Sequence, residues 1–302
     1  MQKTKQLKTI ATQLRLSLHL LIANDPLRLA GATAFFASFA LPFILIILVQ
    51  VLSLIFNRRT ISHDLFVRLS GILGAESMKQ VGTTIRGFRG LVKSGWAIAV
   101  GFIFMLFVAT TLFRVIKNSL NQLWMIRIEP GQKLRMSLVG RLKSILLILF
   151  TGLLFVTTGV LESMQIIFGT YINEILPGFG IFFSGFLSFV ISIFITMLWF
   201  GTLLHYIPDG RPSWKVTFAS ALLTSLLFAL GKFVLKRLLI DSNIDKVFGP
   251  SGAFVLVLLF VFYASIILYF GAAFTKVWGI YVKSPITTLP HAVFYTYKDI
   301  KG

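Results

Sequence analysis

Long uncharged runs alternate with short cationic stretches along the chain. Residues 251–275 contain no charged side chain. A helix rises about 1.5 Å per residue, and about 20 apolar residues cross a hydrocarbon core about 30 Å thick, so this run is long enough to span a bilayer. Runs at roughly 29–56, 95–113, 144–167, 182–205 and 216–235 share the pattern. They predict an all-α, polytopic integral membrane protein with six transmembrane helices. Barrel strands would instead alternate apolar and polar positions in short segments.

The segments between the runs have their own periodicity. In residues 57–94, Leu65, Leu69, Ile72 and Leu73 fall on one helical face, and Val81, Ile85, Phe88 and Val92 repeat spacings of three and four. Gly71 and Gly74 stand between the two sets. This predicts two short amphipathic helices that lie on the bilayer or cap the bundle. Residues 7–22 repeat the pattern, with Lys5, Lys8 and Arg15 on a cationic side, and predict an interfacial helix. The expected layout is one domain: a cytoplasmic amphipathic segment at 1–28, a six-span bundle at 29–280 and a cytoplasmic tail at 281–302. Turns are expected at Glu129-Pro130-Gly131, Pro177-Gly178, Pro208-Asp209-Gly210-Arg211-Pro212 and Gly249-Pro250.

Composition supports a membrane protein. Hydrophobic residues make up 56% of the chain, charged residues only 13%, and Phe alone numbers 31; mean hydropathy is +0.87. The net charge of +19 would suggest nucleic acid in a soluble protein. In a membrane protein it fits loops facing anionic headgroups. With six spans, the connections on the side of the termini carry 18 Lys and Arg, and the other side 11. That bias places both termini in the cytoplasm. The first 28 residues and the long first apolar run do not resemble a cleavable signal peptide. There is no cysteine, which excludes disulfides and thiolate metal sites.

Small and hydroxyl residues mark helix contacts. Gly31, Ala34, Ala37 and Ala40 or Leu41 advance by three and four, a stripe that allows close helix approach. Pro42 is expected to kink or open the first span. In the last span Ala264 and Gly271 are seven apart, as are Ser265 and Ala272, while Tyr263 and Tyr269 add hydroxyls that need partners within lipid. These features predict a packed bundle rather than a lone anchor.

Three ordered stretches carry a family resemblance: ATAFFASFALPFILIIL at 32–48, LFRVIKNSLNQLWMIR at 112–127, and HYIPDGRPSWKVTFASALLTSLLFALGKFVLKRLL at 205–239 followed by FGPSGAFVLVLLFVFYASIILYFGAAF. Together they resemble the YihY/virulence factor BrkB family of bacterial membrane proteins, over roughly 30–275. The resemblance implies a six-helix inner-membrane protein with cytoplasmic termini. Members have carried the labels ribonuclease BN, virulence factor and serum-resistance factor, and some are tied to envelope lipid or lipopolysaccharide handling. Many members end the last span with Gly-Ala-Glu. Here the same place reads Gly271-Ala272-Ala273, so no role for that carboxylate carries over.

Candidate chemistry is sparse. His19, His63, His205 and His291 lie in different flanks with no ligand spacing, and only ten acids are present. A metal-dependent nuclease needs such groups clustered, so an enzyme is not expected, nor a metal or other cofactor. Residues 249–252 (GPSG) make a turn, not a nucleophile elbow, and no GxxxxGK[ST] loop occurs. The acids fall in loops or at span ends, which leaves no mid-membrane carboxylate for a proton relay. Lys232 and Lys236 share a helical face, beside Arg237; they suit either snorkelling to the interface or an anionic headgroup. Asn118 and Asn121 can satisfy helix ends, bond across helices or touch a ligand. The cations from Arg114 to Lys143 fit anionic lipid, and nucleic acid is not an expected partner. Candidate lipid or substrate contacts are thus Lys232, Lys236, Arg237, Pro42, Tyr263, Tyr269, Asn118 and Asn121. The expected function is handling or transport of anionic lipids or other envelope amphiphiles; the alternative is a non-transporting scaffold or regulator of envelope assembly. Anionic lipid is the expected partner, and a second copy or an envelope protein is compatible with the surface.

Overall fold

The computed structural model describes residues 2–54, 57–73, 78–79, 81–83, 85, 95–129, 146, 149–154, 156–158, 161, 179–235 and 252–296. The described elements are α1 (Gln2–Ile22), α2 (Pro26–Leu52), α3 (Arg58–Leu73), α4 (Gly95–Trp124), β1 (Ile126–Ile128), α5 (Phe179–Tyr206), β2 (Gly210–Arg211), α6 (Trp214–Leu235), α7 (Gly252–Tyr281), β3 (Thr287–Thr288) and β4 (Ala292–Phe294). The protein is an all-α membrane protein. Among the described residues four stretches are long and apolar enough to cross: Pro26–Gln50, Ser184–Tyr206, Trp214–Leu235 and Phe254–Tyr281. α4 covers the expected second span and continues eleven residues past Phe113. The expected third span lies largely outside the described residues, with helix at 149–154 and 156–158.

Local chemistry sets the helix ends. Asn24 and Asp25 close α1, and Asp25 turns left-handed (φ 51°) before Pro26 opens α2, where a missing N–H costs nothing. Asn57 Oδ1 accepts the Arg59 N–H at 2.9 Å and caps α3. α7 ends in a Schellman turn: Ser284 N–H bonds Gly279 O at 2.8 Å and Lys283 N–H bonds Ile280 O at 3.1 Å, with Lys283 left-handed (φ 56°). α2 runs through Pro42 without interruption, although Pro42 cannot donate to the carbonyl four residues back.

α7 packs along α1, α2, α4 and α6; α2 also packs on α4, and α5 on α6. The small-residue stripe of α2 is Ala30, Ala34, Ala37 and Ala40, all buried. Gly31, expected in that stripe, has nothing within 4 Å of where a side chain would start. Residues 151–152 join α5 to α2: Trp199 Nε1 donates to Thr151 Oγ1 at 3.1 Å, and Gly152 faces Leu48 and Leu52. Between α5, α6 and α7 the interior holds a chain of edge-on aromatic contacts, Trp199–Phe200–Phe228–Phe260.

The two bundle ends differ. At one, Ile61 and Leu65 of α3 join Leu48, Leu52, Met78, Val81 and Ile85 in an apolar cluster, so these described residues of the segment pack against the end of α2. Phe88 and Val92 lie outside the described residues. At the other end meet the starts of α2 and α6 and the finishes of α4, α5 and α7. There α1 lies along α7 and buries Gln13, Ser17 and Leu21 while Ile10, Leu18 and Ile22 stay exposed. Two short antiparallel ribbons stitch the tail to this end. β1 pairs with β4 (Ile126↔Phe294, Ile128↔Ala292), and β2 with β3 (Gly210↔Thr288). Gly210 is required by close packing: a Cβ there would come within 2.7 Å of Ile126 and Ile286 and 2.9 Å of Trp124.

Candidate functional site

The turn Pro208-Asp209-Gly210-Arg211-Pro212 joins α5 to α6 and carries the most concentrated polar chemistry among the described residues. Pro at both ends restrains the backbone, and Arg211 holds the turn from within: its Nη1 donates to the carbonyls of His205 and Pro208, while its guanidinium lies 5.6 Å from the Tyr206 ring. His205 stacks on Trp214 at 4.0 Å and bonds Thr217. It is buried beside the turn.

Asp209 is the centre. Its side chain is 0% exposed. Oδ1 accepts from Lys117 Nζ at 2.8 Å and from His291 Nε2 at 3.1 Å. Oδ2 accepts from Asn121 Nδ2 at 2.7 Å, and Asn121 Oδ1 accepts the Asp209 N–H at 2.9 Å. This reciprocal pair fixes which way the Asn121 amide points. The Asp209 carbonyl accepts the Leu289 N–H at 2.9 Å. Lys117 and Asn121 are four apart on α4 and so share one face. The tail delivers His291, whose own carbonyl accepts the Glu129 N–H. Burial alone would raise the Asp209 carboxyl; the Lys117 ammonium and hydrogen bonds from His291 and Asn121 outweigh it and hold the carboxyl below its ordinary value. The group is therefore a buried carboxylate at neutral pH that ties its own turn to two other segments, α4 and the tail.

A second polar set lies deeper. The hydroxyls of Thr33 on α2 and Tyr269 on α7 are 2.5 Å apart, with the Ser119 hydroxyl of α4 also on Tyr269. Trp124, fully buried, donates to Ala272 O at 2.9 Å, and Lys276 donates to Leu123 O at the end of α4. Three helices, α2, α4 and α7, are thus tied by hydrogen bonds as well as packing.

The residues singled out in the sequence do not converge on one place. Asn121 lies in the Asp209 cluster, whereas Asn118 is exposed on another face of α4. Tyr269 sits in the deeper set. Tyr263 donates to Leu227 O at 2.8 Å and packs against Gly231, next to the half-buried Lys232. Pro42 is buried inside α2. Lys236 and Arg237 lie outside the described residues. Asp209 does lie in a loop, as the acids were expected to, but it is buried. Lys117, Asp209 and His291 were not singled out. The i, i+4 pair Lys117/Asn121 and the polar turn were visible signals, while nothing in the sequence links either to His291. Among the described residues no three His, Asp or Glu side chains form a group able to hold a metal ion.

The sequence profile described as "Virulence factor BrkB" matches residues 21–289, from the end of α1 to the ribbon that carries the tail. The chain is 25% identical over 193 residues to the UPF0761 membrane protein PSHAa0171 of Pseudoalteromonas translucida (strain TAC 125). That similarity covers 63% of this chain and 60% of the relative, so the chain spans about three fifths of the length of the curated protein it matches. No solved structure matches. Neither description names a catalytic activity. A match to the family profile that takes in the whole Asp209 turn, α4 and every crossing helix described above makes this chain a member of the virulence factor BrkB family.

Proposed function

We propose that this protein handles anionic lipids or other anionic envelope amphiphiles in the bacterial inner membrane, past a bundle end that Asp209 closes. The observation that carries this reading is the buried carboxylate itself. Desolvating an ion pair is costly, and apolar residues of similar volume often hold segments together as well or better. A permanent joint has little need of such a group. A joint that opens and closes benefits from one, because each partner finds water when the contact breaks. The cluster joins α4, the α5–α6 turn and the tail, three segments whose separation would open that end. In this reading six spans place both termini in the cytoplasm, the closed end faces inward, and Lys232, Lys236 and Arg237 meet lipid phosphate on the opposite side.

A second reading, a non-transporting scaffold or regulator of envelope assembly, is favoured by the aromatic filling of the interior at Trp199, Phe200, Phe228 and Phe260. One experiment separates them. Purified protein in liposomes is assayed for movement of fluorescent anionic and zwitterionic lipids between leaflets, with and without a pH gradient. Transport predicts movement that prefers anionic lipid and changes in rate in Asp209→Asn and in the Lys232→Ala/Lys236→Ala variant. No movement beyond protein-free liposomes, from protein shown to be folded, selects the scaffold.

A further inference from the structure

We propose that Lys117, Asn121 and His291 form a binding site for a phosphate group, and that Asp209 is the built-in anion that fills it in the closed arrangement. This rests on the reading that the chain handles anionic amphiphiles, and it names the group such a substrate presents.

The geometry is that of an anion site. An ammonium, a carboxamide N–H and an imidazole N–H, from α4 and from the tail, converge on one carboxylate at 2.8, 2.7 and 3.1 Å. Charge-assisted donors from separate directions suit the several terminal oxygens of a phosphate. Exposure gives the order of approach. The side chains of Lys117 and His291 are 14% and 15% exposed, and that of Asp209 is 0%. The Lys117 and His291 side chains are partly exposed while Asp209 is enclosed, so a phosphate approaching from outside comes to those two side chains first. Rotating the Asp209 side chain away leaves the Lys117 ammonium without its counter-charge; a phosphate restores it. The Asp209 N–H and C=O have separate tethers, to Asn121 and Leu289, so the turn loosens around the moved side chain without leaving the bundle end. The chain as a whole has 29 Lys and Arg against 10 acids, so few internal carboxylates compete for this role.

The test uses full-length protein in non-ionic detergent. Thermal unfolding of wild type, Asp209→Ala, Asp209→Asn and Lys117→Met/Asp209→Ala is followed against inorganic phosphate and glycerol phosphate, with chloride at equal ionic strength as control. A ligand that binds only the folded state raises the melting temperature with concentration, by about 3 °C near tenfold above its Kd. The expected result is that rise in Asp209→Ala, a smaller one in wild type, and its loss in the double variant. Should Asp209→Ala fail to fold, Asp209→Asn keeps the side-chain shape and answers the same question. Wild-type protein gives an independent readout: hydrogen exchange in residues 207–213 is expected to rise with vesicles containing phosphatidic acid and not with phosphatidylcholine alone. A response to soluble phosphate alone assigns the site to a free phosphate; a response to phosphatidic acid assigns it to a headgroup. Folded Asp209 variants that ignore every phosphate, with wild-type exchange unchanged, overturn the proposal. The two readings fail separately: phosphate binding without leaflet movement keeps the site and removes transport, and movement without binding does the reverse.

Discussion

Asp209 Oδ1 lies 2.8 Å from Lys117 Nζ, and the carboxylate has no exposed surface. Removing one member of a buried pair leaves the other charged and desolvated, which costs about 3–5 kcal/mol. Asp209→Asn keeps the side-chain size, but its NH2 replaces an acceptor that faces a donor and the Lys117 ammonium is stranded, so a large loss of thermal stability is expected in detergent. Lys117→Met combined with Asp209→Asn removes both charges and is expected to be more stable than Asp209→Asn alone. A double-mutant cycle by thermal unfolding measures this coupling. Strict additivity of the two changes would show that the pair does not act as a unit.

The same carboxylate predicts an acid limit. Its pKa is lower in the folded protein than the ordinary value, and an unfolded Asp titrates near about 3.9. Between those two values the unfolded chain binds the extra proton, so stability rises with pH there. The contribution is complete above about pH 4 and is lost as pH falls through the folded value. The charged or titratable groups around it are Lys117 and His291 in contact and Arg211 nearby. Unfolding of wild type minus that of Asp209→Asn, followed from pH 6 to about pH 3, is expected to be flat first and then fall. A difference that grows toward low pH would mean that the carboxyl is not stabilised in its ionised form.

How far the sequence carries depends on the range of the interaction. The crossing segments of α2, α5, α6 and α7 are legible because a bilayer forces long uncharged runs, and each is a helix at the expected place. The turn at 208–212 is legible from Pro, Asp and Gly. Burial of Asp209 is not, because its side-chain partners lie 92, 88 and 82 residues away and no period links them. The ribbons β1–β4 and β2–β3 are two or three residues long, too short to show alternation. Small residues are legible as a stripe, but which side of the stripe faces a neighbour is set by packing, so Ala30 takes the place expected of Gly31.

The deeper hydroxyl pair gives a milder prediction. Thr33 and Tyr269 are both buried, and their oxygens are 2.5 Å apart. Thr33→Val keeps the shape and removes one partner. A buried hydrogen bond contributes about 1 kcal/mol net, and an orphaned buried group costs about 1–3 kcal/mol. Because Ser119 also reaches Tyr269, the expected loss is at the low end. Adding Ser119→Ala to Thr33→Val should cost more than the two changes made singly, since only the double variant strands the hydroxyl. Thermal unfolding of the three variants checks this, and a double variant no worse than the sum of its parts would show that Tyr269 finds another acceptor or donor.

Helix α6 packs against Tyr263 of α7 at Gly231. A Cβ built there would overlap the Tyr263 hydroxyl and ring, and Tyr263 is fixed by its hydrogen bond to Leu227 O at 2.8 Å. The ring cannot retreat without losing that bond, so Gly231→Ala is expected to destabilise the protein by about 1–3 kcal/mol or more through overpacking. Helix propensity acts the other way, favouring Ala over Gly by about 1 kcal/mol, and steric conflict wins because the overlap is with an immobile aromatic. The diagnostic is the background. In Tyr263→Ala the ring is gone, and Gly231→Ala should become neutral or stabilising. Unfolding curves for the two single variants and the double variant decide it. Equal destabilisation by Gly231→Ala in both backgrounds would mean that the contact is not what requires glycine. A reversal of sign would establish that α6 and α7 meet here through the missing side chain, beside Lys232.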